Sequence, residues 1–269
     1  MIDIRQTPQY AKYLKNIEWT VERVNETNYF IKKLPLIGSV IKLQRPEEIN
    51  NKTINELTKK YRAFQTIIEP KAELDAKYLL SLGYRKSKSS YLPTKTLQLD
   101  LTKSRKQLFK GLKRDAKLAI KKNKELKALD YGTNIKIFRE NWENSVGWKR
   151  YVPPFTHLVS LKKSFKNNCL FLITEDSSSG AIFLIGDKMA YYWQAFTSNE
   201  GRELQSQSKI VWEGLLWAKK KGVKVFDFEG IYDSRFPNKS WLGFTHFKKS
   251  FGGYEVSHPG SFTKNLLPF

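Results

Sequence analysis

Lys248 stands in the stretch Phe244-Thr245-His246-Phe247-Lys248-Lys249-Ser250-Phe251-Gly252-Gly253-Tyr254, with aromatic side chains on both sides and a glycine pair behind it. The strand-like Val225-Phe226-Asp227-Phe228-Glu229-Gly230-Ile231 comes before it. The reading is a buried strand ending at Gly230, then a loop, then an aromatic-flanked lysine held beside a glycine turn. An ammonium fixed among aromatic rings can steady a negative charge that exists only during a reaction. Asp227, at the end of the strand, either orders the loop or receives a proton, and carboxylates so placed commonly cap the following turn. His246 adjoins the lysine, and its neutral imidazole has the chemistry of a general base. Phe247 either packs against a substrate ring or fills core. Trp193 and Gln194 either line a cleft or, as tryptophan usually does, join the core.

Other chemistries find little support. The three histidines and the single Cys169 match no zinc spacing, so neither a metal nor any other cofactor is expected, and no intrachain disulfide can form. A lone cysteine suits a reducing cytoplasm. No run approaches the ~18 apolar residues of a membrane span. The opening Met1-Ile2-Asp3-Ile4-Arg5-Gln6 has no signal-peptide core. With 40% hydrophobic and 14% aromatic residues in 269, a real core and one or two domains are expected.

Charge points to the partner. Lys and Arg number 48 against 26 acids, a net charge of +22, which fits nucleic acid, an anionic membrane surface or a phosphorylated substrate. From Lys103 to Lys127 there are 11 basic residues and 2 acids. Leu108, Leu112, Ala116 and Ala119 recur there at helical spacing, which predicts one helix with an apolar face inward and a basic face outward. Lys113, Arg114 and Lys117 on that outer face are candidate contacts to a ligand's phosphates; the alternative is plain solvated cations.

The elements that position these residues follow from periodicity. A short helix over 10–19 leads to strands at 20–26 and 28–34, with Glu26-Thr27-Asn28 as their turn. A short strand at 40–43, a helix at 51–61, a strand at 63–68, a helix at 74–82 and a strand at 96–101 follow. Thr102 or Ser104 caps the basic helix. Two more helices are expected at 136–148 and 156–165, then strands at 169–175, 181–185 and 189–197. A helix over 203–221, stopped at Gly222, precedes the strand at 223–228. Three antiparallel strands, a helix and another strand is the order of the GNAT acyltransferase fold, and the N-terminal half shows a weaker form of it. The expected fold class is therefore α+β, two GNAT-like domains in tandem. The first spans 1–98 and is completed by 251–269; the second spans 99–250.

Ordered matches then run through nearly all the chain. They are Tyr10-Ala11-Lys12-Tyr13-Leu14-Lys15 with Trp19, Lys32-Lys33-Leu34-Pro35, Arg45-Pro46, Ile67-Ile68-Glu69-Pro70, Leu82-Gly83-Tyr84, Leu92-Pro93 and Leu99-Asp100-Leu101. Phe226-Asp227-Phe228-Glu229-Gly230-Ile231 and Phe247-Lys248-Lys249-Ser250-Phe251-Gly252-Gly253 complete the series. Together they resemble the FemABX family of peptidoglycan-branching aminoacyl transferases. Glu229 departs from the pattern, standing where that family usually has glycine or another small residue. The chain also lacks an inserted helical arm.

The resemblance implies a cytoplasmic enzyme that moves an aminoacyl group from aminoacyl-tRNA to the stem-peptide amine of UDP-MurNAc-pentapeptide or lipid II. It needs no cofactor, touches the inner membrane face at most peripherally and is expected as a monomer. The resemblance gives Lys248 the charge-stabilising role, with Phe247 and Asp227 beside it as catalytic candidates. It makes Lys33 and Arg45 candidate contacts to the UDP-sugar phosphates and Lys113, Arg114 and Lys117 candidate contacts to the tRNA backbone, with Trp193 a candidate on the cleft wall. Two rivals remain: a CoA-dependent N-acyltransferase on the same fold, and a nucleic-acid-binding protein without catalysis. The connection Thr197-Ser198-Asn199-Glu200-Gly201-Arg202-Glu203 holds one glycine and two acids, a poor cradle for the CoA pyrophosphate.

Overall fold

Two mixed sheets form the protein in this computed structural model, which describes residues 1–266. Residues 267–269, expected at the end of the first domain, lie outside the described residues. In chain order come α1 (Pro8–Lys15), β1 (Thr20–Val24), β2 (Thr27–Leu34), β3 (Gly38–Gln44), α2 (Asn51–Lys60), β4 (Ala63–Glu69), α3 (Glu73–Ser81) and β5 (Arg85–Lys86). Then follow β6 (Lys95–Asp100), α4 (Arg105–Gly111), α5 (Arg114–Lys122), β7 (Ala128–Asp130), α6 (Ile135–Val146) and α7 (Phe155–Phe165). The rest is β8 (Cys169–Thr174), β9 (Ser179–Gly186), β10 (Met189–Thr197), α8 (Asn199–Leu204), α9 (Gln207–Lys220), β11 (Val225–Gly230), α10 (Leu242–Lys249), β12 (Tyr254–Ser257) and β13 (Phe262–Asn265).

The first sheet runs β1-β2-β3-β4-β13-β5 and the second β12-β6-β11-β10-β9-β8-β7. In the first, an antiparallel meander β1-β2-β3 is followed by α2 and by β4 parallel to β3. In the second, the meander β8-β9-β10 is followed by α8, α9 and β11 parallel to β10. The same motif therefore occurs twice, and the fold is a tandem GNAT-like α+β architecture. The last two strands divide between the sheets: β12 pairs with β6, and β13 inserts beside β4.

Three apolar clusters hold the layers. α4, α5 and α9 cover one face of the second sheet through Leu108, Ala116, Val211 and Leu215. Its other face packs on α6 and α7, and α1 joins them through Tyr10 and Leu14. α2 and α3 cover the first sheet. Fully burying each of the leucine and valine side chains contributes about 1.5–3 kcal/mol before entropy is counted.

Three sequence expectations are corrected. The β1–β2 turn is Asn25-Glu26 rather than Glu26-Thr27-Asn28, with φ of 45° and 65° at its two residues, as a twisted two-residue hairpin requires. The basic segment is two helices: Ser104 and Gln107 form a capping box for α4, and the backbone turns extended at Leu112 before α5 begins. The expected helix over 203–221 also breaks, at Gln205 in the left-handed region, into α8 and α9.

Candidate active site

The parallel pairing of β10 and β11 stops at Tyr191 and Asp227, although β10 continues to Thr197. Beyond that point β11 is irregular against β6 between Asp227 and Gly230, where three steps along β11 oppose two along β6. Glu229 is the residue in the bulge with φ of 58°. Asp227 ends the pairing with β10, and Glu229 and Gly230 stand on the part of β11 that β10 leaves unpaired.

Lys248 lies on α10, and only 9% of it is exposed. Its Nζ donates to the Gly230 carbonyl at 2.6 Å. The same nitrogen lies 5.0 Å from the ring centre of Phe244, one turn back along the helix, and 5.9 Å from that of Tyr192 on β10. Burial pulls the ammonium down to about 8 from the ordinary 10.5, while the charges of Glu229 and Asp227 act in the opposite sense. An ammonium carries three donors, and Gly230 takes one.

Asp227 is buried and fully engaged. Its Oδ1 accepts from the Glu229 amide at 2.6 Å, and its Oδ2 accepts from Gln98 Nε2 at 3.0 Å. Burial, then the neighbouring Glu229 charge, pushes its carboxyl up to about 6. This carboxylate fastens the bulge.

Behind it runs a buried ionic chain from the N-terminus. Arg5 Nη2 donates to both Glu229 oxygens at 3.2 and 3.1 Å, and Arg5 Nη1 to Asp3 Oδ1 at 3.2 Å. Arg45 Nη1 donates to Asp3 Oδ2 at 3.2 Å and Arg45 Nη2 to the Pro93 carbonyl at 2.6 Å. Burial alone would raise the Asp3 carboxyl, but the charges of Arg5 and Arg45 overcome it and hold it below its ordinary value. Trp193 lies under this chain, its ring centre 5.2 Å from the Arg5 guanidinium carbon.

The structure thus brings Lys248, Asp227 and Trp193 into one neighbourhood. Phe247 is half-buried, edge-on to Phe251 at 5.4 Å, and packs against the core. Arg45 is inside the protein at 3% exposure, its guanidinium committed to Asp3 and Pro93 rather than open to a phosphate. Lys33 is exposed near the end of β2, its Nζ 5.7 Å from the Tyr61 ring centre. His246 faces solvent, with Nε2 3.6 Å from Asp115 Oδ2. Lys113 and Arg114 are exposed at the start of α5, and Lys117 Nζ donates to the Lys110 carbonyl at 2.8 Å. The Lys113 amide bonds to the Ser250 carbonyl at 2.7 Å, which sets the basic helices beside the end of α10.

No local sequence pattern marks Arg5, Asp3 or Gln98 as site residues. The one signal available was Glu229, a carboxylate at a glycine-like position that calls for a cationic partner. A groove of about 310 Å³ opens at the end of β11, lined by Pro93, Thr94, Tyr232, Arg235 and Trp241 among others. Gly230 adjoins it and packs closely on two of its walls: a Cβ there would lie 2.5 Å from the Trp241 ring and 2.9 Å from Pro93.

The repeated meander–helix–strand motif and the early end of the β10–β11 pairing define the class, a tandem GNAT-like acyltransferase fold. Within that class, residues 173–269 match the model of the FemAB family, and the resemblance to the FemABX family holds. A crystal structure of FemX superposes with a TM-score of 0.82 at 16% identity, covering 98% of this chain and 92% of that one. The C-terminal domain of a putative lysylphosphatidylglycerol synthetase from Agrobacterium fabrum gives 0.64 at 11% identity, over 97% and 88% of the two chains. A tandem GNAT protein from the clavulanic acid biosynthesis pathway gives 0.51 at 10% identity, over 90% and 81%. No curated protein matches the chain.

Proposed function

We propose that this protein is an aminoacyltransferase that takes an aminoacyl group from the 3′ end of a tRNA and passes it to the stem-peptide amine of a peptidoglycan precursor. The FemAB match supports a transferase of this kind. The observation that carries the reading is Lys248: a desolvated ammonium beside the unpaired end of β11, with donors to spare and the basic α4–α5 segment at the end of its helix.

The acceptor amine attacks the ester carbonyl carbon, and the carbonyl oxygen becomes an oxyanion. The ammonium of Lys248 stabilises it, needing little rearrangement because Gly230, Phe244 and Tyr192 already hold it in place. Collapse breaks the bond to the ribose oxygen, which gains a proton as the attacking nitrogen loses one, and an amide forms. Asp227 serves by fixing the bulge that presents Gly230. The groove beside Gly230 offers room for the acceptor peptide, and α4–α5 offers phosphate contacts for the donor.

A CoA-dependent reaction fits less well. At the β10–α8 turn the Ser198 amide bonds to the Ser178 carbonyl, and the Gly201 amide to the Ser198 hydroxyl. Those donors are spent, and Glu200 adds negative charge in the first turn. The deciding experiment incubates the protein with charged tRNAs and UDP-MurNAc-pentapeptide and weighs the products by mass spectrometry. A pentapeptide heavier by one aminoacyl residue supports the proposal. Product formed only from acetyl-CoA, or an aminoacyl group found only on phosphatidylglycerol in a parallel incubation, overturns it.

A further inference from the structure

Leu36 is fully exposed and Ile37 is 67% exposed, at the tip of the β2–β3 hairpin. The Ile37 amide bonds to the Leu34 carbonyl at 3.3 Å, closing a tight turn with Pro35 second and Leu36 third. Leu36 has φ of 66°, a conformation that turns of this kind ordinarily give to glycine or asparagine. A leucine there bears backbone strain while burying nothing within the chain. Its side chain therefore stabilises nothing in the isolated protein, and an external contact would explain it.

Charge says what kind of contact. Lys32 and Lys33 lead into the turn, and both are exposed. The Ser39 amide, just past the turn, bonds to the Arg62 carbonyl at 3.3 Å, which brings the exposed Arg62 and the last turn of α2, with Lys59, to the same end of the sheet. None of these four cations has an acidic partner among the described residues, whereas the nearby Lys60 is held by Glu22.

We propose that this hairpin tip docks the protein on an anionic lipid bilayer, with Leu36 and Ile37 entering the acyl boundary and Lys32, Lys33, Lys59 and Arg62 meeting the headgroups. Two solvated aliphatic side chains gain nothing from a phosphodiester backbone. Four cations would repel the same tip of a second copy. An anionic bilayer satisfies both at once. No described helix is long and apolar enough to cross a membrane. The inference stands apart from the proposed chemistry, since it concerns the far end of the first sheet.

The test is flotation with vesicles of phosphatidylcholine alone and of equal parts phosphatidylcholine and phosphatidylglycerol. The protein is expected to float with the mixed vesicles at low salt and not with the neutral ones. Leu36→Asn with Ile37→Asn should weaken binding roughly tenfold or more, and asparagine tolerates the positive φ, so the melting temperature should hold. Lys59→Gln with Arg62→Gln should weaken it about thirtyfold, from roughly 1 kcal/mol per cation near the surface. Absence of wild-type flotation, or full binding by the Leu36→Asn/Ile37→Asn protein, overturns the proposal. So does a change in oligomeric state, rather than in flotation, on removing the two apolar side chains.

Discussion

Arg5 and Glu229 are 224 residues apart in sequence, and one guanidinium nitrogen of the first donates to both carboxylate oxygens of the second. Both side chains are out of water, so neither charge has solvent to fall back on. Glu229 precedes Gly230, whose carbonyl holds Lys248. The N-terminal turn thereby braces the bulge on which the candidate catalytic lysine rests.

Arg5→Ala should therefore be severe. It leaves Glu229 without its cation and Asp3 with only Arg45, and breaking a buried pair in this way typically costs about 3–5 kcal/mol. Denaturant unfolding should show the midpoint fall with little change in slope. A loss under about 1 kcal/mol would mean that water reaches the pair.

Activity and stability should respond to alkali in opposite directions. Lys248 carries a proton below about 8 in the folded protein and below about 10.5 when unfolded. Between those values the unfolded chain binds more protons, so this residue's contribution to stability rises with pH across the window. The transfer rate should fall across the same window, because the neutral amine stabilises an oxyanion poorly. Rate profiles and melts of wild type and Lys248→Met, compared over that range, check both signs. Lys248→Met should lose both dependences.

The basic segment should announce itself through salt. Neutralising Lys113 and Arg114, both exposed, should weaken tRNA binding and lower the magnitude of the log K against log salt slope by roughly 0.7–0.9 per lost phosphate contact. Lys117 should matter less, since its ammonium already bonds to the Lys110 carbonyl. An unchanged slope in titrations would move the donor site elsewhere.

How far the residues alone could be read depends on the range of each interaction. The order of strands and helices showed in the period of apolar positions, and the neighbourhood of Lys248 showed in the aromatics and glycines around it. The break at Leu112 did not, because the apolar spacing continues across it while the backbone turns. The helix that carries Lys248 did not show either, because it is only Leu242–Lys249 and follows the proline-containing stretch 231–241. Arg45 reads from the residues as a candidate phosphate contact, and its buried partner, Asp3, stands 42 residues earlier in the chain with no local pattern to link them. No local pattern ties Asp3, Arg5, Arg45 and Glu229 together. Only the folded chain does.

The central claim is that the ammonium of Lys248 acts on the transition state rather than on binding, and single-turnover transfer by Lys248→Ala tests it most directly. With saturating aminoacyl-tRNA and acceptor, the account predicts a rate lower by roughly 10²–10³, or about 2.7–4 kcal/mol of barrier, with acceptor affinity nearly unchanged. Lys248→Arg should recover little, because a planar guanidinium cannot occupy the space of an ammonium between Gly230, Phe244 and Tyr192. A Lys248→Ala protein that folds, binds both substrates and transfers at a near-normal rate would contradict the account.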